Sequence, residues 1–472
     1  MLFNSYLFVL CFLPVCIWGL YCVKKIADVT FAKVFLIAAS LLFLGIADYR
    51  SALVLLVSMG VNFLFYRYML KSDKPKIWLI TGIAINVLLL VGFKYTGMTF
   101  VPLGISFFTF TQIAFLAEAY KGTVKGTTLA DYGVYATFFP KVMQGPIMLP
   151  DEMLGQLKKG VGKREFDWEI AYRGFSLFIM GLSKKCLLAD TLGRAVDHGY
   201  ANLTGLHTGD AWILMLSYTL QLYFDFSGYC DMAMGVAKMI GFELPLNFNS
   251  PYKAENIIEF WKGWHITLTR FFTKYLYIPL GGNRKGKART YLNILVVFLI
   301  SGIWHGVGIT FIIWGMLHGI LNVITRWWQE KRGNKEKGKV KRALSVAFTF
   351  LYVNVAWVFF RSDSVSQALK MLKKLVSFDF EKINLNFAES FWLDEFWYVV
   401  KVLKLDRFDW AVYLFMIAIL LFALLIVFGA KTAVQISERI KPSIMSAVTL
   451  SILLIWCILT FSNVSSFLYV NF

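Results

Sequence analysis

An all-α fold that crosses a membrane many times is what this sequence predicts, and three observations predict it. Hydrophobic residues make up 58% of the 472 residues and charged ones only 16%, more apolar surface than a water-soluble chain hides. Mostly apolar stretches of about seventeen residues or more recur from one end to the other, each long enough to span the hydrocarbon core as a helix. Lysines and arginines collect in the connections between these stretches. The formal net charge of +19 is thereby explained by the positive-inside tendency of cytoplasmic loops and their attraction to anionic head groups, and nucleic acid is not needed as a partner.

The first span, 3–23, lies in "MLFNSYLFVLCFLPVCIWGLYCVKK". It has no positive n-region and no small-residue cleavage site, so it is read as a retained helix and not a removed signal. Further spans follow at 31–47, 50–70, 77–96, 101–120, 172–192, 211–238, 290–306, 309–328, 343–361, 410–429 and 443–463. The connection after the first span carries Lys24, Lys25 and Lys33, and that after the third carries Lys71, Lys74 and Lys76. Both fall on one side by parity, which places them in the cytoplasm and the N-terminus outside, as expected of a multi-pass protein of the cell membrane. "GGNRKGKAR" (281–289), with four bases and no acid, and "QEKRGNKEKGKVKR" (329–342), with seven bases and two acids, come out cytoplasmic by the same parity. The stretch 362–409, with eight acids against seven bases, comes out extracytoplasmic.

Two embedded segments do not fit a simple crossing. "YGVYATFFPKVMQGPIM" (132–148) would put the basic "KKGVGKREF" outside if it crossed. "IIEFWKGWHITLTRFFTKYLYIPLGG" (257–282) is too polar for a lipid-facing helix and is broken by "YIPLGG". Both are read as re-entrant, which is tolerated where protein surrounds the irregular backbone. The whole chain, 1–472, is then a single integral-membrane domain of about 11–12 transmembrane helices plus re-entrant segments around an enclosed chamber. No internal repeat is visible.

Of five histidines, His198 and His207 fall in the predicted outer loop 193–210 and read as solvated. His265, His305 and His318 lie in apolar segments, in "WKGWHITL", "GIWHGVG" and "GMLHG". An ionisable group at membrane depth is costly if unpaired, so all three are functional candidates, against the alternative of structural histidines bonded to neighbouring carbonyls. Asp225 and Asp231, in "LSYTLQLYFDFSGYCDMAMG", are a second embedded cluster. They are about 120° apart on a helix and about 9 Å apart along it, so each is expected to hold its own partner: a histidine, an arginine or a freed backbone donor.

Several chemistries find no support. The six cysteines form no C-x-x-C pair, so neither a zinc site nor a disulfide framework is expected. No two histidines have the i, i+3 or i+4 spacing of metal ligands, H-E-x-x-H is absent, and no metal is expected. There is no G-x-S-x-G, Walker A or dinucleotide fingerprint. What remains is an imidazole acting as general base in a dry chamber, taking the proton of a hydroxyl that attacks an activated acyl carbonyl. His305 is the candidate, with His265 as a second polar group that fixes the geometry or polarises the carbonyl.

The motifs resemble the membrane-bound O-acyltransferases, most closely their bacterial alginate O-acetylase and peptidoglycan O-acetylation type. The resemblance runs through about 93–328: "VPLGISFFTFTQIAFLAEAYKG", "FFPKVMQGPI", "GFSLFIMGLSKKCLLAD", "YFDFSGYCDMAMG", "LPLNFNSPY", "FWKGWHITLTRFF", "YIPLGGNRKG", then "SGIWHG" and "WGMLHG". It implies a ring of tilted helices around a central tunnel, with His305 as the catalytic histidine and His265 as its second polar position. Trp304, Asp225, Asp231, Asn249 and His318 are placed at the chamber. It also implies acetyl-CoA or another acyl thioester as donor substrate on the cytoplasmic side, no bound cofactor, and an extracytoplasmic acetyltransferase or polymer as acceptor. The chain departs from the family at "FFTKY", where Thr273 and Lys274 stand in place of a frequent acid, which puts a local ion pair in doubt. Three alternatives stay open: D-alanyl transfer to teichoic acid from a carrier protein, a transporter, and a non-catalytic scaffold.

Overall fold

The computed structural model describes residues 1–160, 166–333, 338–393, 397–463 and 465–468. Among them the chain is helical, with no strand. A π-helical turn, Leu7–Phe12, leads into α1 (Leu13–Ile26). Then come α2 (Val29–Ala47), α3 (Tyr49–Lys71), α4 (Pro75–Tyr95) and α5 (Ile105–Tyr120). Asp28 and Asp48 cap α2 and α3 by accepting from their first backbone N–H groups, the usual role of aspartate at that position. The short α6 (Leu129–Thr137), α7 (Phe139–Val142) and α8 (Pro150–Gly160) follow.

α9 (Trp168–Ser183) runs through a π turn, Lys184–Ala189, into α10 (Asp190–Ala201). α11 (Thr208–Met239), α12 (Ile257–Gly263) and α13 (Ile266–Phe272) come next. α14 (Lys287–His305), α15 (Ile309–Arg332) and α16 (Lys339–Arg361) are long. α17 (Val365–Leu375), α18 (Leu385–Glu389) and α19 (Trp397–Val402) are short; α20 (Asp409–Gly429), α21 (Ala433–Ser437) and α22 (Ile444–Leu459) complete the chain.

Nine helices among the described residues are long and apolar enough to cross a membrane. Three predicted spans, 101–120, 172–192 and 211–238, are largely helical but are not among the nine: α5 and α9 have 16 residues each, and α11 is long but more polar, carrying Asp210, Asp225, Asp231 and Lys238. α5 is buried along nearly its whole length. α11, with 32 residues, is buried from Ser217 to Ala233 without a break and divides two aromatic-rich cores.

α9 and α11 meet backbone to backbone. A Cβ on Gly181 would lie 2.6 Å from the carbonyl oxygen of Gly228, and one on Gly228 would lie 2.8 Å from that of Gly181. Gly174 and Gly235 repeat the contact one heptad away, at 2.8 and 2.6 Å. Small residues at this spacing let membrane helices approach closely enough for dispersion contacts to hold them.

The predicted loop 193–210 is mostly helix, since α10 continues to Ala201. His198 lies on that helix. His207 is not simply solvated: it precedes α11, and its Nδ1 lies 2.8 Å from Asp379 Oδ2, with Glu381 Oε2 3.5 Å from Nε2. Of the stretch 362–409, the described part docks on the start of α11. Thr208 N donates to Asp379 O at 2.9 Å, Trp212 Nε1 to Leu375 O at 3.1 Å and Asn384 N to Asp210 Oδ1 at 3.0 Å. The segment 132–148 is broken at Phe138, between α6 and α7, and is buried throughout. The segment 257–282 breaks between α12 and α13.

Replacing Gly181 by valine is expected to push α9 off α11 and cost about 1–3 kcal/mol or more. A lower melting temperature and less folded protein in detergent would show it, whereas Gly155→Val, at a position with open space around it, leaves both unchanged. The hydrogen bond to Asp379 raises the pKa of the His207 ring above its ordinary value. The ionic form of this clasp is therefore fully present below about pH 6.5 and is lost as pH rises through the raised value. Hydrogen exchange in peptides covering 377–384 should accelerate over that rise beyond the intrinsic trend, and His207→Gln should remove the pH dependence.

Candidate active site

His265 stands between α12 and α13 in the left-handed region, at φ 44° and ψ 51°. A side chain other than glycine resists this conformation, and Asn247 holds it there. Asn247 Oδ1 accepts from Thr267 N at 3.1 Å and from Thr267 Oγ1 at 2.9 Å, while Asn247 O accepts from Ile266 N at 3.0 Å. Since Asn247 Oδ1 only accepts, His265 Nδ1, at 3.2 Å from it, must be the donor. That fixes the neutral tautomer: Nδ1 carries the proton and Nε2 presents a lone pair. Nε2 is buried and has no hydrogen-bond partner among the described residues. The same network reaches the other broken segment, because Thr267 Oγ1 accepts from Ile147 N at 2.9 Å.

His305 is the last residue of α14 and is buried. Its ring sits among Trp304 at 4.4 Å between centroids, Trp314 at 4.8 Å and Phe360 at 5.1 Å, the last two edge-on. The helix bearing it packs closely on α15: a Cβ on Gly302 would lie 2.5 Å from Phe311 O, and one on Gly315 would lie 2.4 Å from Phe298 O. Aromatic contacts link the two histidine sites, from Trp264 to Trp357 (5.0 Å), Trp357 to Trp314 (5.6 Å) and Trp314 to His305.

Trp304 is buried between His305 and Phe110, 5.3 Å from the latter. His318 shares Trp314 with His305 but faces its own cage of Trp261, Phe260 and Trp357. Neither His318 nitrogen is hydrogen-bonded among the described residues.

A cavity of about 310 Å³ opens beside these cages, between α12, α13, α14 and α15. Trp261 and Phe298 form its inner wall, and both rings touch His318. Lys262, Asn322 and Arg326 supply its polar edge, and Arg326 Nε is buried without a partner among the described residues.

The carboxylates do something else. Asp231 Oδ2 is 2.6 Å from Lys184 Nζ, and Asp225 Oδ1 is 2.8 Å from Lys185 Nζ, which also meets Asp190 Oδ1 at 2.8 Å. Neither Asp225 nor Asp231 bonds an embedded histidine among the described residues: the separate partner expected of each is a lysine of the π turn. Asp225 Oδ2 further accepts from Leu468 N at 3.0 Å, and the buried Phe467 packs on Tyr229 at 5.0 Å. These acids thus tie α11 to the π turn and to the segment 465–468. Asn249 is exposed, and its backbone N–H donates to Gly263 O at 2.9 Å; the neighbour two residues earlier, Asn247, is the buried one. The ion pair placed in doubt at "FFTKY" exists with the chain's own polarity, Lys274 Nζ lying 3.1 Å from the buried Glu118.

The residues missed by sequence reasoning are Asn247, Lys184, Lys185, Trp314 and Trp357. The adjacent lysines in "GLSKKCLLAD" were a usable signal, since two cations inside an apolar stretch demand two acids at similar depth.

A family description of the membrane-bound O-acyltransferases matches residues 88–360. Over 423 residues the chain is 38% identical to the peptidoglycan O-acetyltransferase of Helicobacter pylori, covering 80% of each chain. It is 35% identical to the probable alginate O-acetylase AlgI of Pseudomonas putida, over 82% of this chain and 83% of that one. The similarity to the teichoic acid D-alanyltransferase of Bacillus subtilis is lower, 26% over 53% of this chain and 66% of that one. The chain belongs to the membrane-bound O-acyltransferase family and is a multi-pass membrane O-acyltransferase.

Proposed function

We propose that this protein moves an acetyl group from a cytoplasmic thioester, acetyl-CoA in the first instance, for O-acetylation of a cell-surface polysaccharide or peptidoglycan, with His305 as general base. The observation that carries this reading is a buried imidazole at a helix end, caged by Trp304, Trp314 and Phe360, in a chain resembling enzymes named for O-acetylating peptidoglycan and alginate. The hydroxyl that first receives the acetyl gives its proton to His305 as its oxygen attacks the thioester carbonyl carbon. The tetrahedral centre collapses, the C–S bond breaks, and the leaving thiolate takes the proton back from the imidazolium. The aromatic cage excludes water, which would otherwise hydrolyse the thioester. His265, held by Asn247 as an acceptor through Nε2, suits a role in holding the attacking hydroxyl; while neutral it has no proton to offer a carbonyl.

The cavity beside α12–α15 fits the approach of the donor. Its apolar walls suit a pantetheine arm, and Arg326 and Lys262 suit the phosphates. By the parity of the basic loops this end of α14 and α15 is cytoplasmic and the N-terminus is outside. The acyl group then leaves outward to an extracytoplasmic acetyltransferase or to the polymer itself. A carrier-protein donor, as the D-alanyltransferase likeness would have it, is the second reading.

Purified protein in proteoliposomes with acetyl-CoA and a polysaccharide acceptor should release free thiol in step with ester formation. Arg326→Gln and Lys262→Gln together should raise the KM for acetyl-CoA about tenfold with kcat nearly unchanged, the sign of lost ground-state binding. Asn247→Ala should instead lower kcat by about 10²-fold. Thiol release seen only with an acylated carrier protein would transfer the donor assignment to the second reading.

A further inference from the structure

α14 ends on His305 without a backbone cap: Gly306, at φ −177° and ψ 169°, is simply extended and returns no N–H to the last turn. The last four carbonyls of any helix lack partners inside it. Two of these carbonyls are taken by the far end of another helix. Lys94 Nζ donates to Trp304 O at 2.7 Å, and Tyr95 OH donates to Ile303 O. Both donors are consecutive residues in the last turn of α4, more than 200 positions earlier in the chain. The Lys94 ammonium also lies 5.5 Å from the centre of the Trp304 ring.

We propose that Lys94 and Tyr95 act as a helix cap supplied in trans, a positioning clip that fixes the last turn of α14 and with it the height and facing of the His305 ring. Three physical terms act together. Each donor satisfies a carbonyl that the helix leaves open. The ammonium meets the negative end of the α14 dipole. Its contact with the Trp304 face holds the wall against which the His305 ring packs. The opposite side of the same turn is held by the glycine contacts to α15, where a Cβ on Gly306 would lie 2.2 Å from the Phe311 ring. With one side locked by packing, α4 sets the remaining freedom of the imidazole. Neither donor touches the proposed reacting atoms, so both are positioning residues. The inference rests on the reading of His305 as the base only for its effect on turnover, and not for its effect on the helix end.

The test uses full-length protein in detergent or proteoliposomes. Histidine modification by diethyl pyrocarbonate is followed residue by residue by mass spectrometry, alongside turnover and melting temperature. Lys94→Met is expected to raise the His305 modification rate at least fivefold while the rates at His198 and His207 stay as in the wild type. It should also lower kcat by about 10-fold to 100-fold with the KM for the donor unchanged. Lys94→Arg should return His305 to near the wild-type rate. Tyr95→Phe, which removes one hydroxyl, should show a smaller effect of the same kind and serves if Lys94→Met does not fold. Wild-type modification of His305 in folded Lys94→Met or Tyr95→Phe overturns the proposal, as does an equal rise at every histidine, which would report general loosening. Should the wild type show no acyl transfer, the reading of function fails while the modification rates still decide the clip.

Discussion

Polar groups inside a bilayer must be satisfied by protein, and the arrangement of this molecule follows from that constraint. Within its unbroken buried length α11 carries two aspartates, Asp225 and Asp231, and the π turn beside it carries two lysines. The pairs Lys184–Asp231 and Lys185–Asp225 are possible only because Gly174, Gly181, Gly228 and Gly235 let the two helices touch backbone to backbone. Wide separation would leave four charges in a medium of low dielectric, at several kcal/mol each. Removing one member of a pair is correspondingly worse than removing both. The pair Lys185–Asp225 also binds the segment 465–468, so the end of the described chain is tied to its central helix.

The histidine sites are held by different means, and leave some ring nitrogens without a hydrogen-bond partner among the described residues. His265 is held by an amide and a backbone break, and His305 by aromatic rings and a helix end completed by α4. The break at His265 matters because an unbroken helix would point its side chain according to helical phase alone. A single left-handed residue re-aims it, and Asn247 stabilises the strained conformation while choosing the tautomer. One half of the site therefore presents a lone pair whose direction is set before any substrate arrives, which is the preorganisation that makes a polar group effective in a dry chamber. The cations follow a similar division. Lys94 serves a helix end, Lys184 and Lys185 neutralise acids, and Arg326 and Lys262 border the cavity between α12 and α15.

Much of this was legible in the sequence because hydrophobic length and embedded polarity are local properties. Each of the twelve apolar spans is largely helical. The helical path of 257–282 does end at "YIPLGG", where the π turn stops at Tyr277, but the breaks at Phe138 and at His265 were not read from the sequence. The three histidines in apolar segments are the buried ones. Partner identity was not legible. Asn247 and Asn249 sit in one motif, and extended backbone sends alternate side chains to alternate sides; the two asparagines share a parity, yet one is buried and the other exposed, because the turn at Ser250, with its φ of 45°, ends the regular path between them. Nor could spacing show that Asp225 would meet Lys185, since that contact depends on the fold of α9 against α11. The continuation of α10 to Ala201 escaped because "GRAVDHGYANLTG" is too polar for a hydropathy reading and contains three glycines that read as loop. The aromatic cage of Trp314, Trp357 and Phe360 comes from two helices whose relative rotation no pattern in either helix specifies.

The measurement that bears most directly on the whole account is the base-labile O-acetyl content of the cell-surface polymer in cells carrying His305→Ala, against wild type, at equal protein level in the membrane. The account predicts that these esters fall to background, since the imidazole is the proposed proton acceptor. Esters persisting at wild-type levels would contradict it, leaving His305 a structural residue and the chemistry elsewhere.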